Sequence, residues 1–471
     1  MMKGNVFILL LLPLLLSCSS LDRDRDPLIP HRKRVPIPSP RSETSTDSHT
    51  MLYEELENGL KVIIIEIPRS PVSIGMIGCK VGGRYEPESR AGISHLLEHL
   101  MFKESKDMAP VTAIRSMGGS VNALTDYELT TYYFTVLPQA FTGAMAELSS
   151  MVLMPQFDRK DLADEREVVL EELARGKNDP RALVLSSLVR KIFPTSPLKN
   201  LVIGAERSIR QITLDELYQF YRAYYVPGNM AVVCAGAVDT DRTMDLIRTL
   251  FGGAAPSPVP EISFTAPEIA VNNLTRRIPV SQAFHIAGAL SPGKGDDDYY
   301  AMMILDLLLG TGINSRLFQR IAVEEGLTEE LYPFWYTLSD TGIWAMMLSI
   351  DPDDIERVKG VVREEIAKVR MGTVTEEEID NAKRALIARE LIKLDTPMEI
   401  ARFELETLAY RNSVMGIEEH IENIRATTRS DVIRAAEKYF CSENSVTVTL
   451  QPAYAPESWF LMLKIVLTGE L

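Results

Sequence analysis

Two histidines and a glutamate meet in Gly92–Phe102, GISHLLEHLMF, where His95, Glu98 and His99 form an H-x-x-E-H pattern inside an apolar run. On an α-helix, residues i and i+4 share a face, so both imidazoles reach one point and Glu98 lies beside them. Two neutral imidazoles suit Zn²⁺, and a carboxylate next to an open coordination position suits a general base acting on water. Histidines on an apolar helix are otherwise ordinary core residues. Here, however, the whole chain holds six in 471 residues, and two of them fall at ligand spacing. A catalytic zinc takes a third protein ligand. The acidic stretch Asp164–Leu173 (DEREVVLEEL) offers one: Glu165 and Glu172 stand about two helical turns apart and face the same way, while Glu171 points elsewhere.

These groups need a scaffold, and hydrophobic patterning supplies its outline. Leu52–Glu57 and Leu60–Ile67 read as strands around the hairpin signal Asn58-Gly59. Val72–Val81 is a third strand, broken by Gly82-Gly83 before the histidine helix. A short helix near Val111–Met117 follows, then Ser120–Val136, SVNALTDYELTTYYFTV, as two strands around Thr125-Asp126. Polar, β-prone strands of this kind can pair with an extended peptide by backbone bonds, or simply form an edge hairpin. Helices over Gln139–Leu153, Asp158–Arg175, Pro180–Phe193 and Leu214–Tyr224, the strand Met230–Ala235 and a helix near Asp241–Phe251 complete a first domain, 51–251.

Gly252–Pro267 opens with two glycines, is rich in proline and reads as a linker. In the second domain, 268–471, the pattern starts again. Gln282–Leu290 matches the strand before the histidine helix, and Tyr300–Gly310 matches the helix itself. Aligning His95-Leu96-Leu97-Glu98-His99 with Met303-Ile304-Leu305-Asp306-Leu307 replaces both histidines by apolar residues. The helix-rich stretch Asp354–Glu437 holds a capping box at Thr375 and Glu378, and Ser445–Leu450 closes with a strand. The second half therefore reads as a metal-free repeat of the first. The fold class is α+β: two homologous domains, each a mostly antiparallel sheet with helices packed on one face. The apolar tail Trp459–Leu467 is too short to cross a membrane and reads as packing against a domain or partner.

The first 50 residues have a different character. Lys3 precedes the apolar run Val6–Leu16, which ends at Leu15-Leu16-Ser17-Cys18, a secretory signal resembling a bacterial lipobox over 1–18. This predicts cleavage after Ser17, lipidation of Cys18 and a location in the bacterial cell envelope; Ser19 favours the outer membrane, facing the periplasm. The alternative is an uncleaved anchor. Residues 19–50, rich in Pro, Ser, Arg and Asp, are expected to be a disordered tether. Cys79, Cys234 and Cys441 are odd in number and scattered, without CxxC spacing, which argues against a disulfide framework or a cysteine zinc site. The formal charge of −15 becomes −17 once residues 1–50, at a net +2, are set aside. Such a body excludes nucleic acid as a natural partner.

Taken together, His95-x-x-Glu98-His99, Glu165-Arg166-x-x-Val169-x-x-Glu172, Gly118-Gly119-x-x-Asn122-Ala123-x-Thr125-x-x-Glu128 and Tyr225-x-Pro227-x-Asn229 resemble the pitrilysin/insulinase metallopeptidases. The resemblance covers roughly Leu52 to Pro452 and is strongest to the two-domain group that includes mitochondrial processing peptidase. The histidine pattern is the inverted form of the zinc-peptidase helix motif. The resemblance implies a zinc endopeptidase acting on peptides or unfolded protein segments, with two halves enclosing a chamber. His95, His99 and Glu172 would hold one Zn²⁺ per chain, Glu98 would activate water, and Glu165 would support the site from behind. Substrate would lie as an added strand near Asn122, Ala123 and Thr125. One departure stands out. An Arg and a Tyr that usually reach the substrate from the family's second half are, in register, Ala322 and Glu329, with Arg320 and Tyr332 nearby but offset. That predicts a companion subunit of the same fold, or a homodimer, supplying the pair. The competing readings are a non-catalytic or partner-dependent structural subunit and a lipid-anchored binding module with structural zinc. The intact zinc half and the presence of Glu98 speak against both.

Overall fold

The computed structural model describes residues 41–45, 49–104, 109–176, 179–260, 264, 273–441 and 444–453. The expected signal segment with Cys18, residues 19–40 of the tether, residues 261–263 and 265–267 of the linker, and the tail Trp459–Leu467 lie outside them.

The first half builds a seven-stranded sheet in the order β1-β2-β3-β7-β4-β6-β5. Its strands are β1 Arg41–Ser45, β2 Thr50–Glu55, β3 Lys61–Glu66, β4 Ser73–Cys79, β5 Ser120–Thr125, β6 Thr130–Val136 and β7 Met230–Gly236. The second half builds a five-stranded sheet, β10-β11-β9-β12-β8. Here the strands are β8 Leu274–Ile278, β9 Ala283–Ser291, β10 Leu331–Thr337, β11 Gly342–Ile350 and β12 Ser445–Pro452. Both sheets are antiparallel except for one parallel pair each, β3 with β7 and β12 with β8. Central strands such as KVIIIE and MAVVCAG read as unbroken apolar runs because both of their faces are covered.

Strand β1 corrects the tether expectation, which placed residues 19–50 outside any sheet. Arg41 to Ser45 pair with Glu54 to Thr50 along the free edge of β2. An edge offers unpaired backbone groups to any extended segment, so RSETS joins it without hydrophobic periodicity. Strands β8, β10 and β11 likewise add to the expected set.

The first half's own helices include α1 Ile93–Met101, α2 Pro110–Ser116, α3 Phe141–Leu153, α4 Arg159–Gly176 and α5 Pro180–Ile192. Helices α1, α3 and part of α4 pack with alternate sheet residues Val62, Ile64, Ile77 and Val232. The opposite side chains, Ile63, Ile65, Met76 and Val233, pack against Leu405 and Leu408 of the helix Pro397–Arg411, which belongs to the second half. The exchange is reciprocal: α5 lays Val184, Leu188 and Ile192 on Phe284, Ile286 and Val448 of the second sheet. A glycine receives each visiting leucine. A Cβ on Gly78 would lie 2.6 Å from Leu405 Cδ1, and a Cβ on Gly288 would lie 2.6 Å from Leu188 Cδ2. Each sheet thus has its own helices on one face and one helix of the other half on the second. Both sheets stay open, consistent with a clamshell-like chamber.

Polar contacts also tie the halves together. Arg84 Nη1 and Nη2 donate to the two carboxylate oxygens of Asp340 at 2.6 and 3.0 Å. The Ser339 backbone N–H donates to Glu128 at 2.8 Å, and the Tyr336 hydroxyl donates to Asp126.

Candidate metal centre and active site

Helix α1 begins where the chain makes an abrupt turn. Gly92 has φ +96°, and a Cβ there would lie 2.7 Å from the Ile203 carbonyl and 2.9 Å from Gly204 Cα. Only glycine fits that approach. Glu86 then caps the helix, accepting from the backbone N–H of Gly92 at 2.6 Å and of Ser94 at 2.8 Å. Fixing the first turn fixes the direction in which His95 and His99 leave the helix. Glu86 gives no sequence signal, because it precedes the helix by a loop rather than sitting at its cap.

Helix α4 crosses α1 and is held from outside by Arg166, which donates to the carbonyls of Ile209 and Ile212. Against α1 it presents Glu165 and Glu172, while Glu171 is exposed. His99 Nε2 lies 3.7 Å and His95 Nε2 4.0 Å from the same oxygen, Glu172 Oε2. Both separations are too long for a direct hydrogen bond. They suit three ligands around one ion: donors at about 2.0–2.2 Å from a tetrahedral Zn²⁺ stand roughly 3.3–3.6 Å apart. One ligand atom from each of His95, His99 and Glu172 falls within 4.8 Å of the others, a grouping that can hold a metal ion.

One of the donors, His95, is already in the state a metal needs. Burial, with the neighbouring His99, pushes His95 down to about 3, so its imidazole is neutral at physiological pH. His95 Nδ1 is buried without a hydrogen-bond partner, leaving the ring positioned by packing and by whatever its Nε2 meets. Glu165 Oε2 sits 3.0 Å from His99 Nδ1, while Lys103 Nζ is 2.6 Å from its other oxygen. With Nδ1–H donating to this carboxylate, His99 turns the Nε2 lone pair inward. The residues therefore fit a zinc ion. Glu165 stands behind a ligand, not among the ligands.

Glu98 lies beside the triad, half-buried, and its Oε2 accepts from Thr125 Oγ1 at 2.5 Å. Burial raises its pKa above the ordinary carboxylate range, opposed by Thr125 and His99 and assisted by Glu172. Of the residues expected to bind substrate, Asn122 is exposed and Ala123 half-buried on β5, the terminal strand of its sheet. Thr125 is buried, with its hydroxyl committed to Glu98. In the second half the counterpart carboxylate has become structural: Asp306 accepts from Trp344 Nε1 at 3.0 Å and Thr311 Oγ1 at 2.8 Å.

Two family models match the chain. Residues 61–206 fit "Insulinase (Peptidase family M16)", and residues 211–386 fit "Peptidase M16 inactive domain". An uncharacterized zinc protease of Mycobacterium leprae (strain TN) is 30% identical over 80% of this chain and 86% of its own length. The chain belongs to peptidase family M16. A second relative, an uncharacterized zinc protease of Streptomyces coelicolor, is 27% identical over 85% of this chain and 89% of its own. The fold recurs in the crystal structure of a protease from Helicobacter pylori, with a TM-score of 0.77 and 23% identity over 85% of this chain and 99% of that one. It recurs again in a peptidase M16 inactive domain from Pseudomonas fluorescens, with a TM-score of 0.78 and 19% identity over 86% and 98%. The M16 domain with its metal-capable triad supports zinc-protease activity at the level of the family.

Arg320 and Tyr332, the residues nearest the positions where the resemblance places an Arg and a Tyr, have other partners in this M16 chain. Arg320 is ion-paired with Glu324 and Glu325 at 3.2 and 2.8 Å, with Glu364 at 3.5 Å. The Tyr332 hydroxyl accepts from Arg181 at 3.0 Å, and that guanidinium also stacks 4.8 Å over the Tyr332 ring. Ala322 is half-buried and Glu329 exposed.

Proposed function

We propose that this chain is the zinc-bearing subunit of an M16 metalloendopeptidase that cleaves peptides or unstructured protein segments. The observation that carries the reading is the convergence of His95, His99 and Glu172 on one point with Glu98 beside it. When bound, one Zn²⁺ per chain would polarise a peptide carbonyl and lower the pKa of water to about 7. Glu98 takes the proton of the attacking water and returns it to the leaving nitrogen, and Thr125 holds the carboxylate in place for both transfers. Glu165 keeps His99 in the ligand tautomer. The free edge of β5, with Asn122 and Ala123, receives the substrate backbone as an added strand.

The oxyanion needs a positive or phenolic donor, and loss of one typically costs about 10²–10³ in rate. Ala322 has no donor, Glu329 would repel the oxygen, and Arg320 is held by carboxylates. This supports a companion subunit of the same fold, or a second copy, that brings an Arg/Tyr pair to this zinc half. Lipidation at Cys18 would hold the assembly at the cell envelope, on the outer membrane facing the periplasm, by a tether shortened by β1.

Hydrolysis of an unstructured peptide by the mature chain, alone and with co-purifying partner, tests the reading. Zinc-loaded chain alone should turn over slowly and speed up with the partner. Glu98→Gln should abolish both rates. Full activity of Glu98→Gln would sink the assignment, and full activity of a monomer lost in Arg320→Ala would remove the companion subunit.

A further inference from the structure

A cavity of ≈510 Å³ opens against Glu172, so the same residue that completes the metal triad forms part of its wall. Leu173, Leu183, Leu201 and Ile203 line it, and the exposed Arg175 and Arg190 are also among its lining residues. The volume exceeds that of any single side chain, and an apolar lining of this kind favours burial of a large aliphatic or aromatic group.

The two arginines differ from their neighbours. Arg166 is spent on the carbonyls of Ile209 and Ile212, Arg181 on Glu330 and Tyr332, and Arg210 on Glu206. Arg175 and Arg190 are exposed and meet no carboxylate among the described residues. Of the acidic groups lining the cavity, Glu206 is paired with Arg210 and Glu172 faces the histidines. Two uncommitted positive charges beside an apolar recess form a bipartite recognition surface. The recess measures side-chain size, and the charges select the sign of the adjacent residue.

We propose that this cavity is the principal specificity pocket of the peptidase. It takes a bulky apolar side chain of the substrate near the scissile bond, while Arg175 and Arg190 engage a carboxylate on the flanking residue. The proposal rests on the peptidase reading above and adds the substrate class: extended peptides carrying an apolar–acidic pair.

Binding to the zinc-loaded Glu98→Gln chain tests it without turnover. Three fluorescent peptides would be compared by anisotropy, identical except for Leu-Glu, Leu-Lys or Ser-Glu at the centre. The Leu-Glu peptide should bind about tenfold tighter than either of the others, with the margin over Leu-Lys shrinking as salt rises. The double substitution Arg175→Glu and Arg190→Glu, at two exposed positions, should reverse the order of Leu-Glu and Leu-Lys. Leu183→Ser, also exposed, should narrow the gap between Leu-Glu and Ser-Glu. Equal binding of all three peptides, binding of none, or an unchanged order in the charge-reversed chain would overturn the proposal. Wild-type hydrolysis without such selectivity would defeat the pocket while leaving the peptidase intact; absence of any hydrolysis would defeat the peptidase reading itself.

Discussion

His99 has a carboxylate on each side of its ring, and the two do different work. Glu172 approaches Nε2 at a ligand's distance, and Glu165 meets Nδ1 at hydrogen-bond distance with Lys103 behind it. Glu165→Gln keeps the shape but offers a neutral amide that can present N–H instead of oxygen to His99. Such changes typically cost about 10–100-fold in metal affinity or activity. Competition with a chromogenic chelator should show that loss for Glu165→Gln, and an unchanged affinity would remove Glu165 from the site. Each pair is legible in its spacing, because helical geometry brings i and i+4 on α1, and i and i+7 on α4, to one face of their own helix; that the two faces meet is a matter of packing. Two parts are not legible: Glu86 acts across a loop, and Thr125, expected to meet substrate, spends its hydroxyl on Glu98.

At the scale of elements, the helix Pro397–Arg411 shows what periodicity cannot say. Its apolar side chains announce a buried helix, but not that they are buried on the other half's sheet. The leucine-into-glycine contacts at Gly78 and Gly288 likewise leave no trace in local sequence. Strands such as β1 escape notice because pairing at an edge needs only backbone. This helix also carries Glu404, whose carboxylate accepts from the Met415 backbone N–H at 3.1 Å. Burial pushes its pKa up to about 8, with Glu418 and Glu419 assisting against the Met415 hydrogen bond. A folded pKa above the unfolded value means that the folded state holds the proton more tightly. The stabilisation is complete below about 4.5, the unfolded value, and is lost as pH rises through about 8. Glu404→Gln keeps an oxygen for Met415 and no longer ionises. In thermal melts across pH 5–9 the wild type should lose stability relative to Glu404→Gln as pH rises. Parallel melting curves for the two would contradict this.

For the molecule as a whole, the asymmetry between halves is the main fact. One half keeps a complete metal triad; in the other the aligned positions are Met303 and Leu307, and Asp306 is spent on Trp344 and Thr311. The repeat, and the Ala322 and Glu329 that stand where the resemblance places an Arg and a Tyr, can be read from sequence, because both are matters of residue identity in register. The fate of Tyr332 cannot, since it depends on Arg181, far away in the chain, whereas Arg320 is held mainly by its sequence neighbours Glu324 and Glu325. The proposed lipidation of Cys18 belongs to this scale too. Cys18→Ala should leave the protein uncleaved or released from the membrane fraction, with the body still folded by circular dichroism. Wild-type protein found soluble in the cytoplasm with its signal intact would remove the anchor. The central claim is that three residues hold a catalytic zinc while a fourth works beside it. Elemental analysis of purified wild type, His95→Ala and Glu98→Gln addresses it most directly. The account predicts about one zinc per chain in wild type and in Glu98→Gln, and almost none in His95→Ala. A wild type without zinc, or a His95→Ala that retains it, would contradict the account.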